Sequence, residues 1–422
     1  MSGADFAGAS GLKGVARVPG DKSISHRALI CAALAPGRSV LRGLNPGDDV
    51  FRTRLALAAL GVAFDDDAVI GGRERLRPPR HALNLANSGT AMRLLAGVCA
   101  TLPFPTQLDG DASLRGRPMN RVVEPLRRMG SSISAHDGEH APLSIEPAAL
   151  HGIDHHQRIP SAQVKGAILF AALGAEGTTS VTEDHPTRRH TEELFERCGA
   201  AITVDSRKDA YVVSVRQSEL EAFELAVPGD PSQAAFLCVG AALLSQSDLR
   251  VEHVYCGPER LGFVSVLSRM GAEIRVEPVD EWRCDLVCRG GTLGATTISG
   301  EEIPDLIDEL PALVVAACFA EGTTTIEGAA ELRVKESDRI AAMTDALCAL
   351  GAKVRERPDG FVIEGRGFDP RGAASSHGDH RVAMALAIAA LRGRGLVHIE
   401  DFDVADVSWP GFADELGRLA CR

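Results

Sequence analysis

The sequence predicts an α/β fold built from six repeated strand–helix units. Three observations predict it. A glycine recurs at the end of an amphipathic run, an alanine-rich helical stretch precedes each such run, and short alternating segments lie between them.

The glycines are Gly61, Gly130, Gly199, Gly271, Gly351 and Gly417, in "ALAALGVAF", "PLRRMGSSI", "LFERCGAAI", "VLSRMGAEI", "ALCALGAKV" and "DELGRLA". Their spacings of 69, 69, 72, 80 and 66 residues are close to regular. Repetition at such a period decides the architecture before any single motif does. Glycine at this place takes the left-handed conformation that ends a helix. After five of the six an alternating strand follows, as in "AAITVDS" and "AEIRVEP".

The alanine-rich helices read "ISHRALICAALA", "TAMRLLAGVCAT", "AQVKGAILFAALGA", "SQAAFLCVGAALL", "LIDELPALVVAACFA" and "HRVAMALAIAAL". They are apolar on nearly every face and so belong in the interior. Strand-like stretches such as "GTTSVTE", "GTTTIEG" and "GLVHIED" come next. Each unit therefore runs strand, buried helix, strand, outer helix, strand. Small side chains let the buried helices pack closely, with amphipathic helices and strands wrapped around them.

Each buried helix opens with short polar residues: "GDKS", "NSGT", "PSAQ", "GDPSQ", "IPDLIDE" and "HGDHR". Free N–H groups and the positive end of the helix dipole favour anions there. Six ordinary caps facing solvent are the plain alternative. Lys22, Arg27, Arg93, Lys165 and Arg381 argue against it. All stand in the first turns of these helices, where a cation opposes the dipole and costs stability without a counter-anion. Together they point to a doubly anionic ligand. The first of these starts, "VPGDKSISHRALICAAL", is not a nucleotide-binding P-loop. Gly14 lies six positions before Gly20, Asp21 separates Gly20 from Lys22, and no GxGxxG is present.

Composition narrows the classes further. The chain has 422 residues, enough for two or three domains. Hydrophobic residues make up 45% but aromatics only 4%, so the core consists of Ala, Val, Leu and Ile. A net charge of −12 argues against nucleic acid as a partner. The ten cysteines, among them Cys31, Cys99, Cys238, Cys318 and Cys348, read as small buried hydrophobes of a reducing compartment. Cys284 and Cys288 lack a second pair at zinc spacing, so no metal is expected. "MSGADFAGASGLKG" has no apolar core, and uncharged apolar stretches such as "PALVVAACFA" are half the length of a membrane span. A cytoplasmic monomer without cofactor, membrane or nucleic-acid partner is the expectation.

Eight motifs, in order, resemble the 5-enolpyruvylshikimate-3-phosphate synthase family of enolpyruvyl transferases. They are "PGDKSISHRA", "NSGTAMRLL", "GDASLRGRPMNRVVEPLRRMG", "SAQVKGAILFAAL", "VPGDPSQAAF", "IDELPALVVAACFAEG", "AELRVKESDRI" and "GDHRVAMA". The resemblance covers nearly the whole chain. It implies a two-domain inside-out α/β barrel, three units per domain, with the active site in the interdomain cleft. One domain would be 21–225, mainly for shikimate 3-phosphate. The other would be 1–20 with 226–422, mainly for phosphoenolpyruvate, the first strand pairing into it. The implied reaction moves the enolpyruvyl group of phosphoenolpyruvate to the 5-hydroxyl of shikimate 3-phosphate and releases phosphate, a step toward chorismate and aromatic amino acids.

The same resemblance implies site residues. Lys22, Ser23, Arg27, Ser161, Ala162, Gln163, Arg188, Asp308 and Lys335 would hold shikimate 3-phosphate, with Ser161 and Arg188 at its phosphate. Lys22, Gly89, Thr90, Arg117, Gln163, Arg339 and Arg381 would hold phosphoenolpyruvate. Charge-assisted, often bidentate contacts are what two phosphorylated acids demand. Proton transfer at the methylene carbon falls to Glu336 and at the attacking hydroxyl to Asp308, with Lys22 able to share either role. Read alone, Glu336 is also an ordinary first-turn helix acid.

Three departures stand out. Ala162 replaces a serine common in relatives. Arg189 stands where an acid is common. No lysine follows Lys353, so a C-terminal lysine contact of some relatives is missing. These leave room for an acceptor from a specialised pathway. A sister transferase acting on UDP-N-acetylglucosamine typically carries a cysteine before "RP", and "GDASLRGRP" has none. A noncatalytic anion-binding protein would be expected to lack Lys22, Asp308, Glu336 or Arg339, and all are present.

Overall fold

The computed structural model describes residues 3–207 and 210–421. It divides into two compact units, Lys22–Val227 and Met1–Asp21 with Pro228–Arg422. The six alanine-rich stretches form the helices Lys22–Leu34, Gly89–Cys99, Ala162–Ala172, Pro231–Leu243, Leu310–Phe319 and His380–Ala390. Every residue of Pro231–Leu243 and of His380–Ala390 is buried. Such a helix cannot rely on a solvated face, so its polar ends must be satisfied from within. Ser88, Ser161, Asp230 and Asp379 do this as N-caps, accepting from the N–H groups of Ala91, Val164, Ser232 and Arg381.

Around these helices the sheets repeat one plan. In the Lys22–Val227 unit, among the described residues, three sheets each begin with a parallel pair and continue with two antiparallel pairings. Their strand orders are Glu224–Ala226, Gly37–Arg42, Ala68–Gly71, Ala63–Asp65; Leu83–Asn84, Thr106–Asp109, His140–Glu146, Ser132–His136; and Asp154–Gln157, Thr178–Glu183, Ala210–Arg216, Ile202–Arg207. In the other unit Gly11–Ala16 lies parallel to Asp248–Tyr255 and Thr297–Ile298 parallel to Thr323–Ile326, each followed by an antiparallel pair. The sixth unit differs. Gly372–Ser375 lies parallel to Val397–Glu400, and the chain's early strand Ala4–Phe6 closes that sheet.

Five of the repeat glycines act as expected. Gly61, Gly130, Gly199, Gly271 and Gly351 have φ between +73° and +102° directly after an outer helix. Gly417 does not: it lies inside the helix Phe412–Leu419, which runs on into the short strand Ala420–Cys421. Among the described residues that helix leads directly into the strand, so its glycine makes no turn. Cys348 is also unlike the expectation. It is exposed, on the outer helix Arg339–Ala349, whereas Cys31, Cys99, Cys238 and Cys318 are buried. Among the described residues no helix is long and apolar enough to cross a membrane.

The helices Gly89–Cys99 and Ala162–Ala172 show how close the packing is. A methyl group at Gly97 would stand 2.0 Å from the carbonyl oxygen of Ala167, and one at Gly166 would stand 2.7 Å from Leu94 Cδ2. Backbone cannot yield as a side chain can, so Gly97→Ala should destabilise the Lys22–Val227 unit by about 1–3 kcal/mol. Thermal melting checks this, and an unchanged transition would contradict the packing described.

Candidate functional site

In the Lys22–Val227 unit, Lys22 opens its helix and donates to Asp49 Oδ2 at 2.7 Å. Asp49 sits on the outer helix Asp48–Ala59. One turn on, His26 Nδ1 lies 2.7 Å from Thr53 Oγ1 of the same outer helix. Burial drives the His26 imidazole down to about 3, and Lys22 and Arg27 push it the same way against Asp49. It is therefore neutral at pH 7. The two rungs fix where Lys22 can point.

Gly89, Thr90, Arg117 and Gln163 are brought together. Gln163 Nε2 donates to Thr90 Oγ1 at 2.8 Å, and Arg93 donates to Gln163 Oε1 at 2.5 Å. Arg117 Nη2 donates to Asn87 Oδ1. A methyl on Gly89 would stand 3.1 Å from a terminal nitrogen of both Arg93 and Arg117. Two guanidinium groups thus flank the start of the Gly89 helix, where the helix dipole adds positive potential.

Arg27 is 1% exposed and ties three segments together. It donates to Thr191 Oγ1 at 2.7 Å, to the Ser23 carbonyl at 3.1 Å and to the Ala162 carbonyl at 2.9 Å. Ser161 caps the Ala162 helix, and half-buried Arg188 follows Thr187 on the way into the helix His190–Arg197. Lys165 corrects the sequence reading. It is fully buried and pairs at 2.7 Å with both Glu183 and Glu192. Burial pulls its ammonium down, but the two carboxylates outweigh burial and hold it above the ordinary lysine range. Its counter-anions are internal, so it does not belong among the cations awaiting a ligand.

The other unit holds Asp308, Lys335, Glu336, Arg339 and Arg381. Arg339, 1% exposed, donates to Glu336 Oε2 at 2.5 Å and to Asp379 Oδ2 at 2.8 Å, and lies 3.7 Å from Asp308 Oδ1. Arg381 donates to the Asp308 carbonyl at 2.7 Å and approaches its carboxylate at 3.7 Å. Asp379 is fully buried and also accepts from Ser337 Oγ at 3.0 Å and from the Arg381 N–H at 2.9 Å. Burial alone would raise its carboxyl, but the Arg339 guanidinium outweighs this and keeps it below the usual range. Desolvation lowers the Lys335 ammonium; Asp308 opposes that and Arg339 adds to it. Three carboxylates, two guanidinium groups and a weakened lysine cation therefore share one place, the means to bind an anion and to move a proton.

The sequence reading missed Asp49, Asn87 and Asp379, which aim the expected cations. Asp379 left a signal, the N-cap of "HGDHR". Asn87 likewise stands in the helix start "NSGT", whereas Asp49 lies on an outer helix outside these starts.

Repeated units with guanidinium-rich starts of buried helices define an α/β fold of the enolpyruvyl-transferase kind. The fold matches the enolpyruvyl transferase NikO from Streptomyces tendae, with a TM-score of 0.78 over 98% of this chain and 96% of that one, at 17% identity. An EPSP synthase from Acinetobacter baumannii matches with a TM-score of 0.86 at 38% identity, over 99% and 98% of the two chains. A sequence model described as EPSP synthase (3-phosphoshikimate 1-carboxyvinyltransferase) matches residues 6–416. A 3-phosphoshikimate 1-carboxyvinyltransferase of Halorhodospira halophila is 48% identical over 97% of this chain and 94% of its own. One of Gloeobacter violaceus is 48% identical over 97% and 96%. The chain belongs to the EPSP synthase family and is an enzyme, a transferase.

Asp379→Asn should lower stability at pH 7 by about 1.5–3 kcal/mol, because it removes one of the charged partners of buried Arg339 while Glu336 remains. The carboxyl's pKa is depressed in the folded state. Its contribution is therefore complete above the unfolded aspartate range and lost as pH falls through the folded value. Denaturant unfolding at pH 7 and near pH 3 checks both points: the gap between variant and wild type should shrink in acid.

Proposed function

We propose that this chain transfers the enolpyruvyl group of phosphoenolpyruvate to the 5-hydroxyl of shikimate 3-phosphate, with Glu336 and Asp308 moving the protons. The observation that carries this reading is that one buried guanidinium, Arg339, holds Glu336 and faces Asp308 while Arg381 holds the Asp308 backbone. Acid and base are thereby kept in one fixed frame.

The 5-hydroxyl oxygen bonds to C2 of phosphoenolpyruvate, its proton passing to Asp308, while Glu336 delivers a proton to C3. The tetrahedral adduct then returns a proton from C3 to Glu336 and expels phosphate from C2. Lys22, whose position Asp49 fixes, balances negative charge and can share either transfer. In the Lys22–Val227 unit, Gly89, Thr90, Arg117 and Gln163 receive phosphoenolpyruvate. Ser23, Arg27, Ser161, Gln163 and Arg188 receive shikimate 3-phosphate, Ala162 contributing backbone only. In the other unit Arg339 and Arg381 bind phosphoenolpyruvate, and Asp308 and Lys335 bind the acceptor. The enzyme acts as a cytoplasmic monomer on small molecules; seven of the ten cysteines, packed as buried free thiols, support the compartment.

Phosphate release from phosphoenolpyruvate tests the reading. It should require shikimate 3-phosphate, be absent with UDP-N-acetylglucosamine, and fall by about 10²–10⁴-fold in Glu336→Ala. Silence with shikimate 3-phosphate would overturn it. The lowered pKa of Lys335 gives a second expectation. Its cation is lost as pH rises through that value, so kcat/KM for the acceptor should decline below the pH at which an ordinary lysine titrates. Lys335→Arg should move that alkaline limb upward, and an identical pH profile would remove Lys335 from acceptor binding.

A further inference from the structure

One buried cluster is not used by the reaction just described. Lys165, Glu183 and Glu192 are 0%, 1% and 2% exposed at their side chains and put one positive and two negative charges inside the Lys22–Val227 unit. Apolar side chains of similar size are often as stabilising as buried ions, or more so. Stability alone therefore does not account for the cluster.

Its hydrogen bonds converge on one residue. Thr187 donates from Oγ1 to Glu183 Oε1 at 2.6 Å and from its backbone N–H to Glu183 Oε2 at 3.2 Å. Lys165 Nζ donates to the Thr187 carbonyl at 3.3 Å and to Glu183 Oε2 at 2.7 Å. Gln157 Nε2 donates to Glu183 Oε1 at 2.8 Å. All three polar groups of Thr187 are thus held, and the next residue is Arg188. The carboxylate ends the strand Thr178–Glu183, while the lysine lies one turn into the helix that Ser161 caps. On the far side Arg27 joins Thr191 to the Ala162 carbonyl of that same helix start.

We propose that Glu183, with Lys165, is a positioning residue that sets Arg188 against Ser161 for recognition of the acceptor's phosphate. The inference rests on the functional reading above. The backbone on either side of Arg188 is fixed before ligand arrives, so the guanidinium does not pay the full ordering cost on binding.

Steady-state kinetics of the full chain test it. Thr187→Val removes the Oγ1 donor and keeps the shape and the backbone bond. It should raise KM for shikimate 3-phosphate about tenfold, the scale of one hydrogen bond to a charged group, with KM for phosphoenolpyruvate and kcat within about twofold. Thr187→Ser, which restores the hydroxyl, should return KM to the wild-type value. Glu183→Gln, if it folds, should show the same selective loss, and Thr187→Val keeps the test valid if it does not. An unchanged KM for shikimate 3-phosphate in Thr187→Val overturns the inference. So does a parallel loss for both substrates, or a failure of Thr187→Ser to restore. Wild-type protein that ignores shikimate 3-phosphate overturns the functional reading itself, and this inference with it.

Discussion

Helices enclosed on every side constrain everything else in this protein. An enclosed helix can approach its neighbours only through alanine and glycine, as Gly97 against Ala167 shows. It can end only where polar partners are supplied. The six helix starts are therefore the places where charge enters an otherwise apolar interior, and chemistry collects there. A larger side chain in the helix interior would do more than spoil packing. It would shift the start of the helix and with it Gln163, Arg93 or Arg381.

At these starts, and at the start of the outer helix Arg339–Ala349, the cations are not left waiting for substrate alone. Arg339 is shared among Glu336, Asp308 and Asp379, Arg381 is fastened to the Asp308 backbone, and Lys22 is held by Asp49. A carboxylate that aims a cation weakens its pull on an anion but fixes its direction. For a reaction whose charge develops at particular atoms, fixed direction matters more than raw potential. On the function proposed above, the same groups supply acid and base, so binding and proton transfer would rest on one framework.

Much of this was legible in the sequence. The repeat glycines and the alanine-rich runs gave the order of elements, because each has a strong local cause. Gly417 misled because, among the described residues, its helix runs straight into the strand Ala420–Cys421, a fact of topology that no short window contains. Lys165 misled for a similar reason. Its neighbours in sequence suggest an anion-facing helix start, but its partners, Glu183 and Glu192, lie 18 and 27 positions away. Glu336, Arg339 and Arg381 stand in recognisable motifs, and the structure brings them together. Asp49 could not be found in this way, since it lies on an outer helix and its partner, Lys22, is 27 positions away.

The sixth sheet, closed by Ala4–Phe6, bears on how the chain is made. Gly11–Ala16 must likewise wait for Asp248–Tyr255, and the pairing of Lys13 with Asp248 spans 235 residues. During synthesis the Lys22–Val227 unit has all its strands once residue 227 is clear of the ribosome. At that moment the first two strands are still unpaired edges. This segment precedes its partner strands by more than 200 residues and is among the last to be folded.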